Sequence, residues 1–203
     1  MTHKGLVKAG YEAIASAYAE DRETRSEDVE LLRDFIARLP KGALVLDAGC
    51  GSAVPIAQIL ARSFRVVGVD LAAAQIRLAR SWVPPAALTV SDIAHLPFRE
   101  GCFDGVCSYY AIIHVPREEH RSLVRGIHRV LKRSGVGLLC MGEQDLPGEV
   151  GEYMGTPMFW SHYEGKVNER IVRESGFEIL WARAVMDAAS PGTSHRFFLV
   201  RKR

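Results

Sequence analysis

Two hydrophobic periods alternate along this chain. Short runs of consecutive apolar residues occur at Leu44-Val45-Leu46, Val66-Val67, Ala87-Leu88, Val106-Cys107 and Val136 to Met141. Such runs suit strands covered on both faces. Between them lie stretches spaced at three and four residues: Val54, Ile56, Ala57, Ile59 and Leu60, then Ala72 to Arg80, then Leu123, Val124, Ile127, Val130 and Leu131. That spacing predicts helices with one apolar face. Strand and helix in strict alternation predict a parallel sheet with helices packed on it.

Two helices precede the first strand. Tyr11, Ile14, Ala15 and Tyr18 share one face of the first. Val29, Leu32, Phe35, Ile36 and Leu39 share one face of the second, which starts after Ser26 with Glu27 and Asp28 in its first turn and stops at Pro40-Lys41-Gly42. Acids in a first turn suit the positive end of the helix dipole. After the fifth strand the alternation lapses. Residues 142–165 hold glycines, prolines and aromatics, among them Tyr153, Phe159, Trp160, His162 and Tyr163, and read as a long loop. The aromatic content speaks against disorder. The segment suits a cap over an acceptor pocket, or a surface segment resting on the sheet edge. A helix over Lys166–Glu174, ended by Gly176, and strands at Phe177–Ala182 and Arg196–Val200 complete the pattern.

The candidate chemistry sits where the first strand runs into a glycine turn, Asp47-Ala48-Gly49-Cys50-Gly51-Ser52-Ala53. Such a turn at the carboxyl end of a parallel strand is the usual ligand crevice of a doubly wound sheet. A dinucleotide site needs a third glycine where Val54 stands, so a nicotinamide-dependent oxidoreductase is a poor fit. Asp47 would repel a phosphate but suits a positively charged ligand. Asp70, at the tip of the second strand, can accept hydrogen bonds from both hydroxyls of a ribose, and Leu71 can cover one face of an adenine.

The turn resembles motif I of the class I S-adenosylmethionine (SAM)-dependent methyltransferases, acid-x-Gly-x-Gly-x-Gly, and departs from it at Ala53, where a small change in the loop is expected. Two further stretches carry the resemblance. Residues 11–18 resemble the Y-x-x-I-A-x-x-Y opening of small-molecule members, and Asp92 to Phe98 resembles their acid-x-x-x-L-P-F run. The fourth strand opens with Phe103-Asp104, as theirs does. The resemblance implies a three-layer α/β/α sandwich with a Rossmann-like, seven-stranded, mostly parallel sheet and an antiparallel last strand. It implies SAM as cofactor, held by Tyr11, Tyr18, Asp47, Ala48, Gly49, Gly51, Asp70, Leu71, Asp92, Ile93 and Tyr109. In that family pattern the acid at Asp92 accepts from the adenine amino group, the N–H of Ile93 meets a ring nitrogen, and the tyrosine at Tyr18 approaches the methionine end. Methyl transfer from a sulfonium is an in-line displacement whose carbon is already activated, so the protein chiefly positions the reactants and excludes water. A general base helps if the acceptor is a hydroxyl or amine. The candidates are His114, Tyr110 and His162, with His195 also near the pocket. His3, His95, His120 and His128 read as surface or helix positions.

Composition narrows the rest. A chain of 203 residues suits one domain, with residues 1–40 as a helical lid and 142–165 as the cap. Hydrophobic residues make up 48% and charged residues 25%, as in soluble globular proteins. A net charge of +2 gives no reason to expect a nucleic acid or an anionic membrane as partner, so a small-molecule acceptor is expected. Oligomeric state is not legible. No signal-peptide core or membrane-length apolar run is visible, and the four cysteines form no C-x-x-C pair; a reducing cytoplasm is the expected setting. No metal-ligand spacing occurs among the seven histidines. The alternative from another class is a SAM-binding sensor or partner subunit without catalysis.

Overall fold

The computed structural model describes residues 2–21, 26–187 and 192–203. Met1 and residues 22–25 of the expected lid lie outside the described residues. The chain runs through helix α1 (His3–Asp21), short helices α2 (Glu27–Glu30) and α3 (Leu32–Ile36), strand β1 (Leu44–Ala48), α4 (Ile56–Leu60), β2 (Arg65–Asp70), α5 (Ala73–Trp82), β3 (Ala87–Val90), β4 (Phe103–Ser108), α6 (His120–Val130) and β5 (Leu131–Gly142). Strands β6 (Leu146–Tyr153) and β7 (Thr156–His162) follow, then α7 (Gly165–Glu174), β8 (Phe177–Met186) and β9 (Ser194–Lys202).

Seven strands form one sheet in the order β3-β2-β1-β4-β5-β9-β8. Strands β1 to β5 pair in parallel, and β9 is antiparallel to both of its neighbours. The strand order reverses between β1 and β4, which opens a crevice at their carboxyl ends. Val45 and Leu46 are wholly buried, one against each face of the sheet. Leu32, Phe35, Ile56, Leu60 and Ile76 pack on one face; Leu123, Ile127, Val130, Ile171 and Val172 pack on the other. Three layers result, and the Rossmann-like sandwich expected from the sequence is the observed fold.

Three local readings differ. The expected helix over Val29–Leu39 is broken at Leu31 into α2 and α3, which nonetheless bury Leu32 and Phe35. Strand β5 starts earlier than its apolar run because Leu131 pairs with Phe103; Ser134, with φ of 62°, then breaks the register before Val136 meets Gly105. Residues 142–165 are no loop: β6 and β7 form a separate two-stranded hairpin. Its β7 packs against α1, where Val7, Ile14, Met158 and Phe159 form a small core of their own. Gly10 permits that approach, since a Cβ there would lie 2.8 Å from the Met158 methyl carbon and 3.1 Å from the Pro157 carbonyl oxygen.

Candidate functional site

The crevice at the carboxyl ends of β1 to β4 is a cleft that encloses about 660 Å³ of space, open solvent at its mouth included. Its floor is Gly49, Gly51, Asp70, Leu71, Ser91, Asp92 and Ile93. One wall is Tyr109, Tyr110, Ala111, His114 and Val115, the segment after β4. Helix α1 closes the other side with Lys4, Val7, Lys8, Tyr11 and Tyr18.

The glycine turn is built by close approach. The N–H groups of Gly49 and Cys50 both donate to the Val69 carbonyl, at 2.8 and 2.9 Å, tying the turn to β2. Gly49 has φ of 84°, and a Cβ there would fall 2.1 Å from the Ala111 Cβ. Ala53 keeps φ of 69° although it is not glycine. The loop therefore holds the left-handed geometry that a third glycine would adopt freely, at a cost on the order of 1–2 kcal/mol.

The acids occupy three depths. Asp70 lies on the cleft floor, and its two carboxylate oxygens accept from Gly51 N–H and Ala72 N–H at 2.9 Å each. Burial raises its pKa, although these N–H groups oppose the rise. Asp92 accepts from Ala94 N–H at 2.8 Å and from Lys4 Nζ at 2.9 Å. Its partial burial favours the acid form, but the N–H and ammonium donors outweigh that and hold it below the usual carboxylate range. Asp47 lies beneath the turn, 1% exposed, and is not part of the cleft lining; nor is Ala48. Burial, helped by the nearby Asp70 charge, pushes Asp47 up to about 7 against a weak thiol contact from Cys107. Its Oδ2 has no hydrogen-bond partner, and neither does the side-chain amide of Gln75, which is 1% exposed and lies against Gly51.

Helix α1 is fastened at both ends of the cleft. Lys4 reaches Glu119 at 2.5 Å as well as Asp92. Eight residues on, Glu12 accepts from the N–H groups of Ala73 (2.7 Å) and Ala74 (3.0 Å), capping α5 from outside that helix. Partial burial disfavours the Glu12 charge, yet the two N–H groups and Lys8 hold its pKa below the usual range. Tyr11 Oη lies 2.9 Å from His114 Nε2, and His114 Nδ1 lies 2.7 Å from the Phe159 carbonyl oxygen. Burial lowers the His114 pKa to about 4 and pushes the Tyr11 hydroxyl up.

The cleft thus brings together Tyr11, Tyr18, Gly49, Gly51, Asp70, Leu71, Asp92, Ile93, Tyr109, Tyr110 and His114 from the expected set. The Tyr109 hydroxyl itself donates away from it, to the Asp28 carbonyl at 3.1 Å. His162 stands outside the lining, with Nδ1 2.7 Å from the Gln144 carbonyl oxygen, because the hairpin turns it onto Gly142 at the end of β5. His195 is also outside, 3.3 Å from Asp187 and edge-on to Tyr110. His120, expected at a surface or helix position, starts α6 but is fully buried, its Nε2 3.0 Å from the Val115 carbonyl oxygen. Lys4, Lys8, Glu12 and Gln75 were not foreseen. Lys4, Lys8 and Glu12 recur at a spacing of four and so share a helix face. Gln75 is a polar residue beside the apolar Ile76 and Ala79 of α5.

Residues 45–135 match the methyltransferase domain family. Among curated proteins, the tRNA (carboxymethyluridine(34)-5-O)-methyltransferase alkbh8 of Xenopus tropicalis is 31% identical over 147 residues, 71% of this chain and 22% of that protein. The 2-methyl-6-phytyl-1,4-hydroquinone methyltransferase of Synechocystis is 35% identical over 103 residues, 48% of this chain and 31% of that protein. The chain spans less than half the length of the curated relatives it matches. Among solved structures, Burkholderia thailandensis 1,6-didemethyltoxoflavin-N1-methyltransferase, with 1,6-didemethyltoxoflavin and S-adenosylhomocysteine (SAH) bound, superposes with a TM-score of 0.74 at 21% identity, over 98% of this chain and 86% of that one. The presence of a tRNA methyltransferase among the relatives means that the low net charge does not decide against a nucleic-acid acceptor. No helix among the described residues is long and apolar enough to cross a membrane. Residues 45–135 thus carry a methyltransferase domain, in a chain that has the fold of solved SAM-dependent methyltransferases.

Proposed function

We propose that the protein transfers a methyl group from SAM to a small-molecule acceptor by in-line displacement. The observation that carries this reading is that Asp70 and Asp92, from the ends of adjacent strands, line one cleft with the Gly49–Gly51 turn. The residues present fit the cofactor. The orphaned Asp47 Oδ2 and Gln75 amide flank the glycine turn, and buried polar atoms without partners call for a polar ligand. From beneath the glycine turn Asp47 and Gln75 would back the charged amino-acid end, while in the cleft Asp70 would hold the ribose hydroxyls, Leu71 one adenine face, and Asp92 with the Ile93 N–H the adenine edge. Tyr18 would flank the methionine end. The bound cofactor supplies a methyl carbon already activated by positive sulfur. The chain's own contribution is to align the acceptor along the Tyr110–His114 wall and to keep water out beneath α1.

A small acceptor suits a cleft that α1 closes on one side, with the β6–β7 hairpin packed behind that helix. An RNA-borne base is the second reading, and the tRNA methyltransferase relatives favour it. Absence of turnover with intact SAH binding would favour the non-catalytic sensor. The decisive measurement is calorimetric titration of SAH into the wild type and Asp70→Ala. Affinity should fall more than tenfold, about 1.4 kcal/mol, in the variant; unchanged affinity would place the ribose elsewhere. Radiolabelled methyl transfer into tRNA versus a small-molecule extract separates the two acceptor classes.

A further inference from the structure

We propose that Tyr11 and His114 form a proton relay for the methyl acceptor, which makes that acceptor a neutral hydroxyl or amine; the inference rests on the methyl-transfer reading above. The hydrogen-bond directions are fixed by chemistry. The Phe159 carbonyl can only accept, so His114 Nδ1 carries the hydrogen. In the neutral ring Nε2 then holds a bare lone pair, and the Tyr11 hydroxyl donates to it across 2.9 Å. The Tyr11 oxygen keeps lone pairs for a donor arriving in the cleft, which both residues line.

Charge in the cleft supports the same acceptor class. Its cations are Lys4, held by Asp92 and Glu119, and Lys8, held by Glu12. No described lining residue offers an uncommitted cation to a carboxylate or phosphate acceptor. Around the Tyr11–His114 pair stand Tyr18 of α1, Tyr153 of β6, Trp160 and His162 of β7, and His195 of β9, with the Asp70 and Asp187 carboxylates also acting on Tyr11; neither carboxylate is bonded to the His114 ring.

The step balances. The acceptor's oxygen or nitrogen lone pair bonds to the methyl carbon as the carbon–sulfur bond breaks, and that bond's electron pair stays on sulfur. The acceptor's proton passes to Tyr11 Oη while the proton of Tyr11 moves to His114 Nε2. One positive charge disappears at sulfur and one appears on the imidazole, so the buried charge count is unchanged. The imidazolium later returns its proton to water. His114 is neutral in the resting protein because burial disfavours its charge, which keeps Nε2 free to accept.

The test compares two complexes of 15N-histidine-labelled protein, one with SAM and one with SAH. Histidine ring resonances should show His114 neutral and protonated at Nδ1 in both at pH 7, with a protonation midpoint at least half a pH unit higher in the SAH complex, which lacks the sulfonium charge. Equal midpoints, or a hydrogen on Nε2, would overturn the relay. In Tyr11→Phe the Nε2 resonance should move toward that of a bare nitrogen; an unmoved resonance would also overturn it. Radiolabelled methyl transferred into a small-molecule extract should be stable to alkali, as an ether or amine is. An alkali-labile methyl ester would overturn the acceptor class, whereas absence of SAH binding would defeat the methyl-transfer reading itself.

Discussion

The ammonium of Lys4, in the first turn of α1, lies 2.9 Å from Asp92 Oδ2, at the end of β3. The helix that closes the cleft is thereby fastened to a carboxylate on its floor, and eight residues later Glu12 fastens it again to the N-terminus of α5. Lys4→Met should speed SAH dissociation about two- to fivefold, the range of a partly exposed ion pair. Stopped-flow displacement measures it, and an unchanged rate would mean α1 does not gate release.

Glu12→Gln should act more strongly, about five- to tenfold on the same dissociation rate, because a charged cap on backbone N–H groups is lost. The native interaction is also pH-dependent. The folded pKa of Glu12 is depressed, so its contribution is present above the unfolded value and fades as pH falls through the folded one. Dissociation from the wild type should accelerate as pH falls below the ordinary glutamate value of 4.5, and Glu12→Gln should remove that acceleration.

Asp47 runs the other way. Its folded pKa, about 7, stands above the ordinary 3.8, so the folded state holds a proton that the unfolded chain releases. Stability from this group is fully present below pH 3.8 and is lost as pH rises toward 7, on the order of 4 kcal/mol in all. A ligand ammonium beside Asp47 would favour its ionised form. SAH binding at pH 6 should therefore release a proton, seen as calorimetric enthalpies that depend on the buffer's ionisation heat. No buffer dependence would separate Asp47 from the ligand.

Two glycines give opposite outcomes. A Cβ on Gly49 would collide with Ala111 at a φ of 84°, so Gly49→Ala should cost at least about 2 kcal/mol in denaturant unfolding and lower SAH affinity more than tenfold. Gly126, inside α6, has nothing within 4 Å of its Cβ position. Gly126→Ala should raise stability by about 0.5–1 kcal/mol without touching binding.

Much of this was legible from residue order. The sheet strands announced themselves as apolar runs such as Leu44-Val45-Leu46, since a strand buried on both faces has no other composition open to it. The cleft floor was legible because the glycine turn and the acids Asp70 and Asp92 stand at strand ends. The hairpin was not. Strand β6 is mostly exposed and carries Pro147, Gly148 and Gly151, so it shows neither alternation nor a run. Its pairing is set by β7, and β7 is held by α1, more than a hundred residues earlier. His114 was legible as a candidate, but its tautomer depends on the Phe159 carbonyl, which only the hairpin delivers.

The missing side chain at Gly10 has a kinetic corollary. Because Met158 fills that space, α1 and β7 are packed as one piece over the cleft wall. Direct in-line transfer beneath that helix needs both reactants aboard at once. Steady-state rates should accordingly give intersecting double-reciprocal lines, the signature of a ternary complex, rather than the parallel lines of a ping-pong exchange.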